Sequence, residues 1–509
     1  MANLVPLYII LPLGAAFLIP LIGRLWGIFS KTITSLVLLL LTGLCIAWLF
    51  AGDHEAIVYA VGGWKPVNNI PIGIHLVLDG FSAFMLIVIN LITFLSAFYA
   101  ITYMRKYTAE NNFYALVCLM VAGMNGVVLT GDLFNLYVFL EIASIASYAL
   151  VAFGVEKPEL EASFKYQVLG GMASLIILLG VGLLYWTTGT LNIADIAQLL
   201  LSYSGNRIII FIQLLFITGF GLKAAIVPFH AWLPDAHSSA PSPISSMLSG
   251  ILIKAVGVYV LIRLLFNMFA LSYEVALAIT TLGVLSMVIG GILAIGQRDY
   301  KRLLAYSSIS QVGYIVLGVG TGMLVLANNG ANEIAALAIL GGLFHLINHA
   351  VFKGLLFMTA GAVEHATGIR DLNMLGGLAR KMPVTSATSF SGSMAISGIP
   401  PFSGFFSKLI IIIAAVQAQY YFVAFIAAVI SIVTLAYFLK FQKRIFSSEE
   451  KTTIDYVREV PLFMQVPMVI LALFCVFLSL LIIPDIRDIV LMPAVDVIVN
   501  AKNLINPGL

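Results

Sequence analysis

Runs of about twenty apolar residues, the length a helix needs to cross a bilayer, follow one another along almost the whole chain. Short polar connections separate them, and none of these is long enough to fold as a domain of its own. Of the 509 residues, 61% are hydrophobic and 10% are charged. We therefore expect an all-α, polytopic membrane protein, and the composition excludes a soluble enzyme held by one anchor.

The apolar runs predict about fourteen membrane-spanning helices. The first is expected to be a true helix, because the amino terminus lacks the basic leader and cleavage site of a signal peptide. We divide the chain into amino-terminal helices at 1–112, a first repeat at 113–270, a second repeat at 271–446, and a loop, last helix and tail at 447–509. The predicted segments are 4–23, 32–51, 80–104, 113–131, 132–154, 166–187, 208–238, 242–266, 275–296, 303–325, 334–362, 384–414, 420–445 and 461–483.

Two long segments carry prolines in their middles. The seventh contains Pro228 and Pro234, and the twelfth contains Pro400 and Pro401. Proline removes a backbone donor and clashes with the preceding turn, so both helices are expected to be broken. Broken helices at corresponding places predict two inverted five-helix repeats with ion sites near the midplane of the membrane.

Loop charges predict the orientation, because Lys and Arg accumulate on the cytoplasmic side of membrane proteins. With both termini outside, 17 basic residues fall on the cytoplasmic side and 5 on the other. Lys301 is counted with the former group and Arg263 with the latter. The chain is therefore expected in the cytoplasmic membrane, crossing it many times, with both ends outside.

Five charged residues lie inside the apolar runs: Lys223, Lys254, Lys353, Lys408 and Glu141. A charge near the bilayer centre costs roughly 2.5 to 3.5 kcal/mol on insertion scales. Such residues usually mark ion or proton pathways, so movement of protons is the first functional hypothesis.

Each of these charges has a functional and a structural interpretation. Lys223 precedes the predicted break and suits a proton-carrying amine, whereas a lysine at a helix end can also snorkel to the surface. Glu141 lies about 13 Å along its helix, where we expect it away from the surface, either as a structural ion pair or as a switch with Lys223. Lys254 is a candidate relay in an unbroken helix, and Lys408 a candidate terminal carrier.

Histidines extend this set. His345, His349 and Lys353 are four residues apart in turn and share one helix face. They fit titratable groups on a hydrated path better than zinc ligands, because no third ligand of suitable spacing is present, while a structural role stays open. His230 and His237 flank the seventh segment's prolines and either mark an access path or satisfy helix ends. Small polar residues are treated first as packing positions: Ser144, Ser147, Tyr148, Ser307, Ser310 and Gln311.

Motifs for other chemistry are missing from the sequence. It has no phosphate-binding loop, no dinucleotide fingerprint and no nucleophile triad, so we expect no catalytic residue. Cys45, Cys118 and Cys475 lack the spacing of a cluster or metal site, and we expect neither cofactor nor metal. The energy for transport must therefore come from an ion gradient or from partner subunits.

The run GFGLKAAIVPFHAWLPDAHSSAPSPISSMLSGILIKAVGVY resembles the signature region of a proton-conducting membrane family. Complex I antiporter-like subunits, Mrp cation/proton antiporters and membrane-bound hydrogenases share this family. The resemblance covers about 78–446 and continues in FNLYVFLEIASIASYALVAFG, QRDYKRLLAYSSISQVGYI, LFHLINHAVFKGLLFMTAGAVEH and SGIPPFSGFFSKL.

The resemblance implies fourteen helices, two inverted repeats and a hydrophilic axis across the middle of the membrane. At matching positions, Glu141 is similar to the family's helix 5 glutamate, Lys223 to its helix 7 lysine, Lys254 to its helix 8 relay and Lys408 to its helix 12 terminal residue. The fourth-subunit branch of complex I typically has glutamate at that last position. The likeness is greatest to the D-type branch of Mrp antiporter subunits and its counterpart in archaeal hydrogenase or sulfane-reductase complexes.

The leading hypothesis is a proton-translocating subunit that couples proton movement to redox chemistry or to Na⁺/H⁺ exchange in partner subunits. Its expected partners are other membrane subunits, redox or antiporter subunits, protons, sodium as a second candidate ion, and lipid, but not nucleic acid. The sequence is compatible with an oxidoreductase complex and with an antiporter. Two alternatives are a self-sufficient transporter of a small solute and a scaffold subunit that does not conduct.

Overall fold

The computed structural model describes residues 2–23, 25–52, 55–64, 73–203, 206–449 and 456–500. Most of these residues are helical, which confirms the predicted all-α membrane class. Some residues used in the predictions lie outside the described ranges. Four of the basic residues counted for orientation are among them: Arg24, Lys65, Lys451 and Lys502. Two parts of the 447–509 region are also among them: 450–455 and 501–509.

Twenty α-helices follow one another in the described ranges, and one pair of short antiparallel strands, β1 (Ile57–Ala60) and β2 (His75–Leu78), adds a feature that was not predicted. The helices are α1 Leu7–Ile22, α2 Phe29–Leu49, α3 Gly80–Tyr103, α4 Glu110–Leu129, α5 Leu133–Val151, α6 Lys157–Thr188, α7 Ile193–Leu200, α8 Arg207–Lys223, α9 Trp232–Ser239, α10 Ser242–Met247, α11 Val260–Asn267, α12 Tyr273–Ile295, α13 Tyr300–Ala327, α14 Asn332–Thr367, α15 Pro383–Ser397, α16 Ser403–Gln417, α17 Tyr421–Gln442, α18 Leu462–Phe477, α19 Pro484–Val490 and α20 Met492–Val499.

Twelve helical spans in the described part of the chain are long and apolar enough to cross a membrane. One of them, Ser242–Asn267, combines α10 and α11 with the helical residues between them. The seventh and twelfth predicted segments are α8 with α9 and α15 with α16, whose separate pieces are shorter than a full span. The figure of fourteen crossings therefore stays a prediction, as does the inverted repeat.

Both proline-containing segments are broken, as their sequence predicts. In the first, α8 ends at Lys223, and the buried carbonyl of Leu222 accepts a hydrogen bond from Trp232 Nε1 at 3.0 Å. In the second, α15 ends at Ser397, and the next residue, Gly398, adopts a positive φ of 76° that only glycine takes without strain. The breaks thus free backbone carbonyls inside the bundle.

The span that carries Lys254 is continuous but is not a regular α-helix. Leu248–Leu252 and Lys254–Tyr259 are π-helical, with hydrogen bonds that skip one residue more than in an α-helix. The second stretch packs closely on the end of α8, because a Cβ added at Gly257 would lie 2.7 Å from Ala224. Wider helical turns often mark functional sites, and here they bring Lys254 beside the first break.

The span Ser242–Asn267, α13 and α14 form the centre of the molecule. Their side chains are buried on nearly all sides, whereas α2, α6 and α17 expose apolar side chains on one face. Helices that are apolar all round belong in the interior of a bundle. The central three helices carry Lys254, Lys353 and both α14 histidines, all fully buried, so they position much of the candidate site.

Two basic residues that were counted for orientation are paired within the fold: Arg263, at the end of the predicted segment 242–266, and Lys301, which the sequence places in a loop. Arg263 lies in α11 and contacts Asp79 at 2.7 Å, and Lys301 begins α13 and contacts Glu364 at 2.9 Å. Their side chains are only 14% and 2% exposed. Helix ends extend further than the hydropathy suggests because flanking charged residues are capped and paired, so these two charges say little about orientation.

Candidate functional site

Ionisable side chains from four spans line up in the interior of the bundle. Lys223 ends α8, Lys254 lies in the π-helical stretch, His345, His349 and Lys353 lie on α14, and Lys408 lies on α16. Lys223 is 4% exposed, Lys408 is 2% exposed and the other four are 0% exposed. The structure thus places all of these lysines and α14 histidines away from solvent, and it brings Lys254, Lys353 and Lys408 near the two histidines.

The first of these groups is held at the end of α8. Lys223 Nζ donates to Ser144 Oγ at 2.9 Å and to Tyr148 Oη at 3.4 Å, both on α5. Its ion-pair partner is Glu141, whose Oε1 lies 3.7 Å from Nζ. The pairing inferred between separate helices is therefore present, although the hydroxyl contact is the shorter one.

Glu141 lies closer to the surface than the sequence predicts, since its side chain is 28% exposed. It accepts a hydrogen bond from Ser174 Oγ on α6. Its neighbours on the outward face of α5 are apolar, with Val138 38% exposed and Ile145 60% exposed. The position along the helix was predicted but this lateral exposure was not, because distance along a helix does not tell which way a side chain faces. A carboxylate amid apolar side chains marks this face as unusual.

A glycine makes room for the tyrosine beside Lys223. A Cβ at Gly170 on α6 would lie 2.1 Å from Tyr148 Oη, so the hydroxyl occupies the space that any larger residue would fill. The Tyr148 ring also meets Tyr166 edge-on, with centroids 4.5 Å apart. The position of the tyrosine next to the amine is therefore determined by close packing.

Lys254 bonds to the backbone of its own helix. Its Nζ donates to the carbonyl of Ser249, five residues earlier, in the π-helical region. Ser249 Oγ in turn lies 2.8 Å from Ser308 Oγ on α13. Within the described ranges, Lys254 forms no ion pair, so its amine is held by neutral groups.

Lys353 and His349 continue the row on α14. Lys353 Nζ donates to Leu304 O at 2.7 Å and to Ser307 Oγ at 2.5 Å. Among the residues that the structure describes, neither ring nitrogen of His349 has a hydrogen-bond partner. The charges of Lys254 and Lys353 both act on this imidazole. His349 is therefore a buried imidazole under the influence of two lysines.

His345 connects α14 to the second break. Its Nδ1 lies 3.0 Å from Ser407 Oγ and its Nε2 lies 3.2 Å from Gln311 Oε1. Because the amide oxygen can only accept, the imidazole in this geometry donates from Nε2. Ser407 immediately precedes Lys408, so the histidine and the last lysine are neighbours.

Lys408 uses a carbonyl that the broken helix leaves free. Its Nζ donates to Ile396 O at 2.8 Å and to Ser431 Oγ at 3.3 Å. The amine lies 4.8 Å above the Tyr314 ring, a cation–π contact. Lys223 shares the aromatic contact, since its amine lies 6.0 Å from the Tyr148 ring, but it bonds to hydroxyls rather than to a freed carbonyl. The two breaks thus present a lysine and a tyrosine in similar ways.

The two histidines proposed for an access path lie in different surroundings. His230 is half-buried in the first break, whereas His237 is fully buried in α9 with its ring 5.0 Å from Phe357. In the described part of the chain, both ring nitrogens of His237 lack a hydrogen-bond partner. His237 is thus buried like the interior lysines and α14 histidines, whereas His230 is not.

Several small polar residues contact the ionisable groups directly. Ser144, Tyr148, Ser307 and Gln311, which the sequence treats first as packing positions, are hydrogen-bond partners of Lys223, Lys353 or His345. Hydroxyls on a helix face carry no sequence signal that separates packing from bonding. No cluster of three or more His, Cys, Asp or Glu placed to hold a metal occurs among the described residues.

Two family profiles match this chain. One, described as NADH:quinone oxidoreductase/Mrp antiporter, TM, covers residues 130–434, and the other, NADH-Ubiquinone oxidoreductase (complex I), chain 5 N-terminus, covers 64–114. The first match alone includes Glu141 and all of the interior lysines and histidines. The resemblance drawn from the sequence motifs is thus confirmed.

Relatives from three kinds of complex agree with these profiles. The chain is 36% identical to the N subunit of NADH-quinone oxidoreductase from Desulforudis audaxviator, over 86% of this chain and 85% of that protein. It is 35% identical to the D subunit of the Na(+)/H(+) antiporter from Alkalihalophilus pseudofirmus, over 78% and 77%. A chain in the archaeal membrane-bound sulfane sulfur reductase superposes with a TM-score of 0.86 at 30% identity, covering 99% of both. The chain therefore belongs to the membrane-subunit family shared by NADH:quinone oxidoreductases and Mrp antiporters.

Proposed function

We propose that this chain is the proton-translocating membrane subunit of a multi-subunit ion-pumping complex. The observation that carries the proposal is a row of buried amines held by neutral groups. In the described ranges, Lys254, Lys353 and Lys408 contact carbonyls and hydroxyls but no carboxylate. Such an amine can release its proton more easily than one locked in an ion pair, which suits a carrier.

The order of the groups suggests a route. Lys223 and Glu141 form a pair at one end, Lys254 lies next to the first break, and His349, Lys353 and His345 lead along α14 to Lys408. When Lys223 loses its proton, its attraction to Glu141 disappears, so the pair acts as a switch. Glu141 is partly exposed, and a neighbouring subunit at that face would sense the change.

The source of energy lies in partner subunits. The relatives named above are a quinone oxidoreductase subunit, an antiporter subunit and part of a sulfur reductase, so the same membrane unit serves different complexes. We propose an Mrp-type or membrane-bound hydrogenase-type parent complex in the cytoplasmic membrane, with protons as the moving ion and sodium as a second candidate.

The test uses inverted membrane vesicles from cells that make the complete complex. Proton uptake is followed with a pH-sensitive dye, and complex abundance is measured in the same membranes. Lys223→Ala and Lys408→Ala should each slow uptake by roughly 100-fold, because a proton-transfer group is lost. Lys223→Arg should also be impaired, since arginine does not release its proton.

Lys440→Ala is the matched control, because this lysine is exposed on the surface and should leave uptake unchanged. Normal uptake in Lys223→Ala and Lys408→Ala would overturn the proposal. Loss of assembly without a specific transport defect would instead favour a scaffold. Solute transport by liposomes that contain this chain alone would favour a self-sufficient transporter.

A further inference from the structure

A cavity of about 500 Å³ opens at the end of the bundle that the loop charges predict to be cytoplasmic. Exposed residues, including Lys106 and Glu156, form its rim, and buried residues, including Tyr103 and Lys301, form its floor. Liquid water occupies about 30 Å³ per molecule, so this space can hold several waters. None of the residues proposed above for the transfer route lines it.

The floor of the cavity carries an ion pair. Lys301 Nζ lies 2.9 Å from Glu364 Oε2, with the lysine side chain 2% exposed and the glutamate 20% exposed. Glu364 also accepts from Tyr103 Oη and Ser242 Oγ, each at 3.4 Å. Removing both charges from water is costly, and many buried pairs contribute little to stability, so this pair invites a functional explanation.

The lysine of this pair is connected to the interior. Lys301 Nζ also donates to Ala240 O at 3.0 Å, just beyond the end of α9, which carries His237. The charges of Lys301, Lys254 and Lys353 all act on the buried imidazole of His237. Lys301 therefore connects the cavity to the end of α9, the helix that carries the buried His237.

We propose that the cavity and the Glu364–Lys301 pair form the site at which protons are taken up from the cytoplasmic face. Glu364 receives a proton from cavity water and passes it through intervening water to a ring nitrogen of His237, and the resulting imidazolium passes it to a neutral Lys254 or Lys353. Lys301 stabilises the carboxylate that remains, which makes the release favourable. This inference rests on the proposed function, since it assigns the source of the protons that the route carries.

The key variant is Glu364→Gln in the complete complex, measured in inverted vesicles whose cytoplasmic face is outward. Uptake should slow by at least roughly tenfold, because the amide cannot carry a proton. Millimolar formate, a weak acid small enough for the cavity, should restore most of the lost rate, and Glu364→Asp should retain much of it. Normal uptake in Glu364→Gln, or a defect that neither formate nor aspartate relieves, would overturn the uptake site.

Asp299→Asn is the matched control on the same face. Both carboxylates contact Arg370, Glu364 at 4.0 Å and Asp299 at 3.5 Å, but Asp299 does not line the cavity, and asparagine can still cap α13. It should behave as wild type. Lys223→Ala, by contrast, should be slow with or without formate. A normal Lys223→Ala would contradict the proposed function, whereas a normal Glu364→Gln would contradict the uptake site alone.

If the complex with Glu364→Gln fails to assemble, a second measurement tests whether the cavity is the uptake site. The three native cysteines are buried, so a single Lys106→Cys at the rim can be labelled with a bulky charged thiol reagent. Labelling should block most proton uptake by an otherwise intact complex, and the same label on Glu161→Cys, away from the cavity, should not. Unchanged uptake after complete labelling at the rim would rule out this cavity as the uptake site.

Discussion

Gly170 determines where the Tyr148 hydroxyl sits, and that hydroxyl is a partner of Lys223. We expect Gly170→Ala to slow proton uptake strongly, because its Cβ would lie 2.1 Å from Tyr148 Oη and push the ring away from the amine. Helix propensity alone would favour alanine by about 1 kcal/mol, so a loss of transport could not come from a weakened helix. Uptake per assembled complex in inverted vesicles is the measurement.

Gly171→Ala is the control for this substitution. It lies on the same helix and has nothing within 4 Å of an added Cβ, so alanine should leave transport unchanged. Tyr148→Phe should reproduce part of the Gly170→Ala defect, since it removes the hydroxyl without disturbing the packing. Equal rates in Gly170→Ala and Gly171→Ala would show that the position of Tyr148 does not matter for Lys223.

The predictability of individual residues follows from their surroundings in the sequence. Lys254 and Lys408 could be recognised as functional candidates because a charge inside an apolar run seldom has a purely structural role. Lys301 and Glu364 could not, because charges at segment ends look like loop residues in one dimension. The exposure of Glu141 depends on which side of α5 faces the rest of the bundle, and that is decided only by packing.

At the scale of elements, an ion pair joins α3 to α11. Arg263 contacts both oxygens of Asp79, the residue that caps α3, at 2.7 and 2.8 Å, and also bonds to Tyr259. Removing one partner of a buried pair typically costs roughly 3 to 5 kcal/mol. Arg263→Met should therefore lower the melting temperature of the detergent-solubilised complex markedly, whereas Arg487→Met, which breaks a surface pair with Asp488, should not.

The pH dependence of this contact has a definite sign. Burial alone would raise the pKa of the Asp79 carboxyl, but Arg263 and Ser82 hold that pKa below its ordinary value of 3.8. The pair therefore contributes its full stabilisation above the unfolded-state pKa and loses it as the pH falls through the lower folded-state value. The melting difference between wild type and Arg263→Met should be constant near neutral pH. A difference that disappeared there would contradict the role of the pair.

Some secondary-structure elements can be predicted from the sequence and others cannot. The breaks in α8–α9 and α15–α16 follow from proline, whose chemistry acts locally. The π-helical stretches around Lys254 do not, because hydrophobic periodicity cannot distinguish a hydrogen bond to the fourth preceding residue from one to the fifth. The strand pair β1–β2 also escapes detection, since two four-residue strands are too short to show a clear alternation.

At the scale of the whole molecule, class and family were predictable because they rest on many residues at once. Hydropathy over the full chain indicates a membrane bundle, and motifs across most of its length indicate the family. The prediction of which side of the membrane each loop faces rests on fewer residues, since Arg263 and Lys301 are paired within the bundle. The remaining excess of basic residues in the other loops still predicts both termini outside.

This orientation can be tested with two exposed serines at opposite ends of the bundle. Ser202 follows α7 and is predicted outside, and Ser447 follows α17 and is predicted in the cytoplasm. A membrane-impermeant thiol reagent added to intact cells should label Ser202→Cys and leave Ser447→Cys unlabelled until the cells are permeabilised, because the buried native cysteines stay unreactive. The opposite labelling pattern would mean that the protein has the reverse orientation in the membrane. The cavity at Glu364 would then take up its protons from outside the cell.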